Sequence, residues 1–541
     1  MNAETRLEAS ASPDRGLVRG LIALGLASAP ALLAIGSTPG FTTQDGPAHV
    51  YSARILNASL SAQSAYADIF RVAWDPLPNW AGHLLTMLAV AVWSPEVANR
   101  VVAAVTLAAF GSAIVALRVV VAGSRGVEVA ALLAAVLALN VTWLLGFTSF
   151  LLGATVALLT LAAWWSGRAG FGLGRSVALA SLLVVGYFCH PISLGLTLGG
   201  LAILNLLTPG ADRPIRAAWT VSSAVPLIPL AMAYRSLTRS GGGLEPVWGH
   251  WSPSISGCVN QLGWVDPLSI AAKTASPFDV RLAMVPPALT APALWAVLAL
   301  GGLFALTWSR RSPERLGWLV LAVGLMLVGL ASPDTLGVKH GHFLPQRVVL
   351  LGLVALVPWL DLGVDRLAAK GAVAMLVVAL SVQSAFVWDY ARTCRDRVTP
   401  FLKLAARFDP RGRSGTLLNG IRGQFRANPL LHADGLVAAS TDSVFWTNYE
   451  TAQYYFPVKV RGEVDHPAAT LFERVAILDE PRDAARRARL WGDLLRDHGG
   501  QIDRIIEWQS DANLDGVTGR DYQVTDREGP LRVWSRRPRS R

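Results

Sequence analysis

The chain has 541 residues, 52% of them hydrophobic and 16% charged, with a mean hydropathy of +0.41 and a formal net charge of +11. A soluble domain carries about 25% charged residues. The composition therefore excludes a disordered chain, a collagen-like chain and a small disulfide scaffold, and argues against a purely soluble enzyme.

The charge is concentrated at one end. Residues 389–541 hold 25 Lys+Arg and 21 Asp+Glu, against 23 and 16 in the 388 residues before them. This contrast predicts two parts joined near Asp389: a membrane body over 1–388 and a water-soluble tail over 389–541. The basic residues form no single stripe, as nucleic-acid binding would ask. Many sit in short loops between apolar runs, where the positive-inside rule puts them. Cys189, Cys258 and Cys394 lack CxxC spacing and give neither a disulfide framework nor a zinc site. At most Cys258 and Cys394 pair, and free thiols are the expectation.

A bilayer-spanning helix needs about 20 apolar residues. The first run, 17–36, contains the small-residue stretch Ala27-Ser28-Ala29 but is longer than the apolar region of a signal peptide, so an uncleaved anchor is expected. Further runs lie near 97–121, 127–145, 148–165, 176–190, 192–208, 217–235, 287–308, 316–331, 346–361 and 366–388. Basic connections at Arg118/Arg125, Arg168/Arg175, Arg213/Arg216, Arg310/Arg311/Arg315 and Arg366/Lys370 alternate with connections that are longer or poorer in Lys and Arg. Placing the basic ones in the cytoplasm gives a mainly α, polytopic bundle of about eleven transmembrane helices, N-terminus in and C-terminus out. Loops 37–79, 236–284 and 332–345 and the tail then face outward. Residues 80–95 are apolar but short, and a crossing there would break the alternation at Arg125. They are read as a partial or membrane-surface helix.

The first outer loop contains TTQDGPAHVYSARILN, residues 42–57. Gly46-Pro47 suits a helix entrance, because proline is preformed for the first turn. An amphipathic helix over 48–60 is expected at the interface, with Asp45 at its start. Read alone, Asp45 is a helix cap before it is a functional acid. An acidic residue just after the first transmembrane helix and before a surface helix resembles the GT-C glycosyltransferase superfamily. The many-helix body and outward C-terminal domain are similar too, and the string QDGPAH is similar to that of bacterial membrane proteins grouped with the superfamily. The resemblance implies a membrane glycosyltransferase that uses a polyprenyl-phosphate-linked sugar and a glycan, lipid or protein acceptor. It implies work on the periplasmic or extracellular face of a bacterial inner membrane, among membrane lipids and without nucleic acid. In the superfamily the loop acid is the catalytic base or positions the acceptor. Here Asp45 is followed by Gly46 instead of the common Glu. No strong metal motif is present, and a divalent-cation requirement stays open.

The chemistry asks for a base that accepts the hydroxyl proton and for positive charge at the departing phosphate. Asp45 is the expected base. His49, four residues on, either shares its site or is an interfacial histidine. Asp75, in RVAWDPLPNW, is a second outer acid or the start of a turn at Pro76 and Pro78. His190, before Pro191, either points into a cavity or caps a helix. In the 236–284 loop, Trp248 and His250 stand among tryptophans that could stack on sugar faces or form an interfacial belt. Lys339, His340, His342 and Arg347 cluster at the outer end of two helices, and such a cationic group beside lipid suits a phosphate headgroup. Arg347 opens an apolar run, where a charge is costly and often functional, unless it snorkels. The pair His340 and His342 alone is a weak metal signal.

Residues 389–541 alternate strand-like and helix-like pieces, which predicts a small extracytoplasmic α/β domain. The string SDANLDGVTGRDY echoes a calcium loop, but Tyr522 takes the place of the closing Glu, and an ordinary turn is expected. The aromatic string VFWTNYETAQYYF is read as core, with carbohydrate or membrane contact as the other reading. Two rivals to the transferase are a transporter or flippase of a lipid-linked substrate and a non-catalytic envelope-assembly subunit. No repeat between halves, as many transporters show, is visible.

Overall fold

The computed structural model describes residues 13–60, 66–210, 212–240, 315–332, 343–360, 366–410, 412–421, 427–478 and 481–538. Four helices in it are long and apolar enough to cross a membrane: Asp14–Ser37, Pro95–Ala122, Thr148–Gly167 and Val373–Ala405. A fifth span is available if Arg213–Ala224 and Leu227–Thr238, bent by 45°, count as one. The described helices are α1 (Pro13–Ser37), α2 (Gly46–Ser59), α3 (Trp80–Val92), α4 (Pro95–Ala122), α5 (Val127–Ala138), α6 (Val141–Leu144) and α7 (Thr148–Gly167). They continue as α8 (Leu173–Cys189), α9 (Pro191–Leu207), α10 (Arg213–Ala224), α11 (Leu227–Ser240), α12 (Leu316–Ala331), α13 (Leu344–Leu356) and α14 (Arg366–Ala405). Exposed Ile22, Leu26, Leu33, Val221 and Met232 suit contact with lipid. The run expected at 287–308 lies outside the described residues.

The loop arginines do more than carry charge. Arg118 is buried and donates to the carbonyls of Gly123 and Arg125 at 3.2 and 2.9 Å, and Arg216 donates to that of Thr208 at 2.7 Å. Arg175 donates to Gly167 and Gly170 at 2.6 and 2.9 Å. Each satisfies at least one carbonyl at a helix end, and Arg118 and Arg175 also tie down the loop that follows.

The apolar run at 127–145 does not form the single span expected. Helix α5 stops at Ala138, because Asn140 takes over the local hydrogen bonding. Its amide donates to Leu137 and Ala138 carbonyls at 2.9 and 3.1 Å, and its oxygen accepts from the Trp143 N–H at 3.1 Å. The break turns the chain into the short α6 and presents the Leu144 and Leu145 carbonyls to the first loop. Within 80–95, Trp80–Val92 forms the 13-residue α3, too short to cross alone.

Asp389 lies inside α14, so the compositional break is not the end of an element. Beyond Ala405 a five-stranded sheet forms from β2 (Arg413–Leu418), β3 (Val444–Phe445), β5 (Arg504–Trp508), β6 (Tyr522–Glu528) and β7 (Leu531–Arg536), in the order β3-β2-β5-β7-β6. β3, β2 and β5 are parallel, while β7 and β6 are antiparallel additions. Helices α15 (Asp434–Thr441), α16 (Ala469–Ile477), α17 (Ala484–His498) and α18 (Ala512–Thr518) accompany it. Asp511 caps α18 by accepting from the Asn513 N–H at 2.9 Å, and Asp515 pairs with Arg532, so these acids serve a helix start and an ion pair.

The first loop and the tail are built together. Strand β1 (Phe70–Val72) pairs antiparallel with β4 (Val458–Val460) from the tail. Tyr51, Leu56, Phe70 and Leu77 share one apolar core with Leu436, Val437, Val458, Trp491 and Ile505. Helix α2 was expected at the membrane interface. It is instead buried along most of its length, because α15 packs directly against its backbone: a Cβ on Gly435 would lie 2.5 Å from the Pro47 oxygen.

Candidate active site

Asp45 sits at the N-cap position of α2, with Pro47 in the first turn, yet its side chain makes no capping hydrogen bond. The carboxylate is therefore not consumed by its own helix. Its loop is strapped on four sides. The Gln44 and Asp45 N–H groups donate to the Leu144 and Leu145 carbonyls, both at 3.1 Å. Tyr390 of α14 donates to the Thr42 oxygen at 2.9 Å, and Asn99 of α4 donates to the Phe41 oxygen at 3.1 Å. From the tail, the Asn428 N–H donates to the Gln44 side chain at 3.0 Å. The Leu144–Leu145 strap requires Gly146: its φ is +89°, and a Cβ there would meet Thr43 Oγ1 at 2.8 Å and the Asp45 nitrogen at 3.0 Å.

Around the Asp45 carboxylate the contacts are long. Tyr449 donates at 3.3 Å, Gln44 at 3.4 Å, and His432 Nε2 lies 3.7 Å away. Among the described residues no side chain bonds it more closely, which leaves lone pairs for an incoming hydroxyl. Burial lifts its pKa to about 6, and the nearby His49 charge limits the rise. His432 is neutral, held down to about 3 by burial and by the His49 charge. Glu473 of α16 is pushed up to about 7 by burial and by the Asp45 charge.

His49 has an acceptor at each ring nitrogen. Nδ1 donates to the Glu450 carboxylate, and Nε2 donates to the Gly146 carbonyl at 3.0 Å. A ring that donates twice is an imidazolium. Burial works against that charge, and the Glu450 carboxylate outweighs it, so the His49 pKa is raised. Glu450 is fully buried, and burial would raise its pKa, but the facing histidines hold it low: His49 is the cation, while His83 is itself pushed down to about 4 by burial. His83 Nε2 lies 3.8 Å from Glu450 Oε2. Rings of Tyr449, His83 and Phe456 line this group, with His49 and Phe456 centroids 6.3 Å apart.

A second group forms where α8, α9 and α13 meet. His190 caps α9 through Nδ1, which accepts the Ile192 N–H at 3.2 Å, and its Nε2 lies 3.0 Å from the Arg347 guanidinium. A guanidinium only donates, so Arg347 presents an N–H to the His190 ring edge. His190 therefore caps a helix, one of its two sequence readings, and it also lies against Arg347. Arg347 stacks over Phe147 and Phe150, 4.4 and 5.3 Å from their centroids. Tyr455 stands within electrostatic reach of both groups: its phenol is raised to about 12 by burial, with Arg347 opposing and Asp45 and Glu450 adding to the rise.

Asp75 is not brought to this site by any contact among the described residues. Its side chain is exposed, and its carbonyl accepts from Leu77 and Trp80 at 2.7 and 3.1 Å, which is the turn-forming reading. Trp248, His250, Lys339, His340 and His342 lie outside the described residues. Among the described residues no group of three or more His, Cys, Asp or Glu side chains could hold a metal ion. Cys189 and Cys394 are buried free thiols, and Cys258 is outside the described residues. Glu450, Tyr449 and His432 were not foreseen as site residues. The signal for Glu450 was a single acid within the aromatic string 444–456.

No family model matches the sequence, and no curated protein does. Solved structures do match. ArnT from Cupriavidus metallidurans bound to undecaprenyl phosphate aligns over 95% of this chain and 97% of its own, with a TM-score of 0.53 and 13% identity. The oligosaccharyltransferase of Archaeoglobus fulgidus in the apo form aligns over 90% of this chain and 69% of its own, with a TM-score of 0.50 and 11% identity. At such identities the likeness is one of fold. The chain is an integral membrane protein with a GT-C-like fold.

Proposed function

We propose that the chain is a glycosyltransferase that moves a sugar from a polyprenyl-phosphate donor to an acceptor hydroxyl on the periplasmic or extracellular face of a bacterial inner membrane. The observation that carries this reading is the Asp45 carboxylate: buried, rigidly strapped through its backbone, free of its capping role and held only by long contacts. The acceptor oxygen attacks the anomeric carbon and its proton passes to Asp45. The bond from that carbon to the phosphate oxygen breaks, and the polyprenyl phosphate leaves with the electron pair. Arg347, a buried guanidinium beside His190, is the cation that would meet an anionic phosphate oxygen. The undecaprenyl phosphate bound to the ArnT neighbour supports a lipid phosphate as the leaving group.

The topology in this reading keeps the N-terminus and the basic connections in the cytoplasm. The membrane body is 1–388 with outer loops 37–79, 236–284 and 332–345, and the tail 389–541 lies outside. The shared core of the first loop and the tail supports placing both on one side. The test is purified protein in nanodiscs with a radiolabelled polyprenyl-phosphate sugar and a hydroxyl acceptor. Covalent label on the acceptor is the expected result. Label crossing the bilayer without covalent transfer would favour a flippase.

A further inference from the structure

The His49–Glu450 pair joins the first loop to the tail beside Asp45, and the reading above does not use Glu450. Glu450 has no exposed surface, so its carboxylate must be compensated from within the protein. Two histidines face it: His49, whose Nδ1 donates to Oε1, and His83, 3.8 Å from Oε2. Its own backbone is fixed by Asn448, which accepts the Glu450 N–H at 3.2 Å and donates to Ser52 of α2 at 3.0 Å. The opposite ring edge of His49 is locked by the Gly146 carbonyl, the residue whose neighbours strap the Asp45 loop. The imidazolium is therefore held between two fixed acceptors, one turn of α2 from Asp45.

Resting on the function proposed above, we infer that Glu450 is a positioning residue: it holds His49 as an imidazolium, and that fixed positive charge keeps the buried Asp45 carboxylate ionised and ready to accept the acceptor's proton. The device spans the two compositional parts of the chain, so the tail completes the site instead of only covering it. The other charged or titratable groups facing Asp45 are Tyr390 of α14, Tyr449 and His432 from the tail, Tyr455, and Glu473 of α16. His432 is buried neutral, Glu473 is largely protonated where Asp45 titrates, and the Glu450 carboxylate itself opposes an Asp45 carboxylate less than the His49 charge supports it. His49 is the cation that offsets burial at Asp45.

The test is the pH–rate profile of sugar transfer for the full-length chain with Glu450→Gln, Glu450→Asp and His49→Gln. Loss of the carboxylate lets His49 become neutral, and Asp45 then needs a higher pH to ionise. Glu450→Gln and His49→Gln should move the acid limb upward by about one pH unit, a loss of about fivefold at pH 6 that approaches tenfold at lower pH and recovers at higher pH. Glu450→Asp should restore most of the wild-type profile. A uniform loss at every pH, with the limb unmoved, would make Glu450 merely structural and overturn the inference. If Glu450→Gln does not fold, His49→Gln alone decides by the same limb. Full activity of Asp45→Asn would instead overturn the underlying function, a separate result from an unmoved limb.

Discussion

His49 donates through Nδ1 to Glu450, a residue 401 positions further along the chain. One side chain opens the helix after the first membrane segment, and the other lies in the tail. Their bond means that the charged environment of Asp45 is assembled only when the first loop and the tail have both folded.

The reaction should depend on pH through Asp45. Its pKa is raised to about 6 by burial, with His49 limiting the rise. A base acts in its deprotonated form, so activity should be full above that value. It should fall about tenfold per pH unit below it. Transfer rates from pH 4.5 to 8 would show this, and a rate that rises as pH falls would contradict it.

Arg347 should govern use of the donor. Arg347→Ala should raise the KM for a polyprenyl-phosphate sugar by about 10- to 100-fold, the range expected for a lost charged hydrogen bond. Arg347→Lys should recover part of it, since lysine keeps the charge but not the planar fork stacked over Phe147 and Phe150. Donor titration at saturating acceptor measures both.

Gly146 should be intolerant of a side chain. Gly146→Ala should cost about 1–3 kcal/mol from its positive φ. Its Cβ would also press on Thr43 and the Asp45 nitrogen and displace the acid loop. Thermal unfolding in detergent and residual transfer should fall together.

Two contacts between α2 and the tail should differ sharply. Arg54 and Asp442 form a bidentate pair at 2.7 and 2.9 Å, but their side chains are 39% and 44% exposed, so Arg54→Ala should change stability by less than about 1 kcal/mol. Gly435→Ala places a methyl against the Pro47 carbonyl and should cost about 1–3 kcal/mol. Paired melting curves of the two variants test the order.

The mainly helical membrane body was legible in the sequence, because apolar runs are local signals; of the eleven spans expected, four described helices, or five with the bent pair, are long and apolar enough to cross. Asp45 was legible for the same reason: Gly46-Pro47 marks a helix entrance, and an acid before it stands out. Arg347 and His190 were each visible as a polar group interrupting apolar sequence, but their approach to 3.0 Å was not, since it joins positions 157 apart. Glu450 hid among aromatics whose pattern reads as core, and it is core; only the tertiary fold brings His49 and His83 to it. The break at Asn140 was missed because one asparagine in an apolar run hardly alters its hydropathy. Its side chain nevertheless stops α5 and frees the carbonyls that strap Asp45.

The central claim is that Asp45 accepts the acceptor's proton. Its most direct measurement is sugar transfer by purified Asp45→Asn, compared with wild type at equal folded fraction. The Asp45→Asn rate should fall by at least about 100-fold with an unchanged melting temperature and unchanged donor binding. Transfer at the wild-type rate would contradict it.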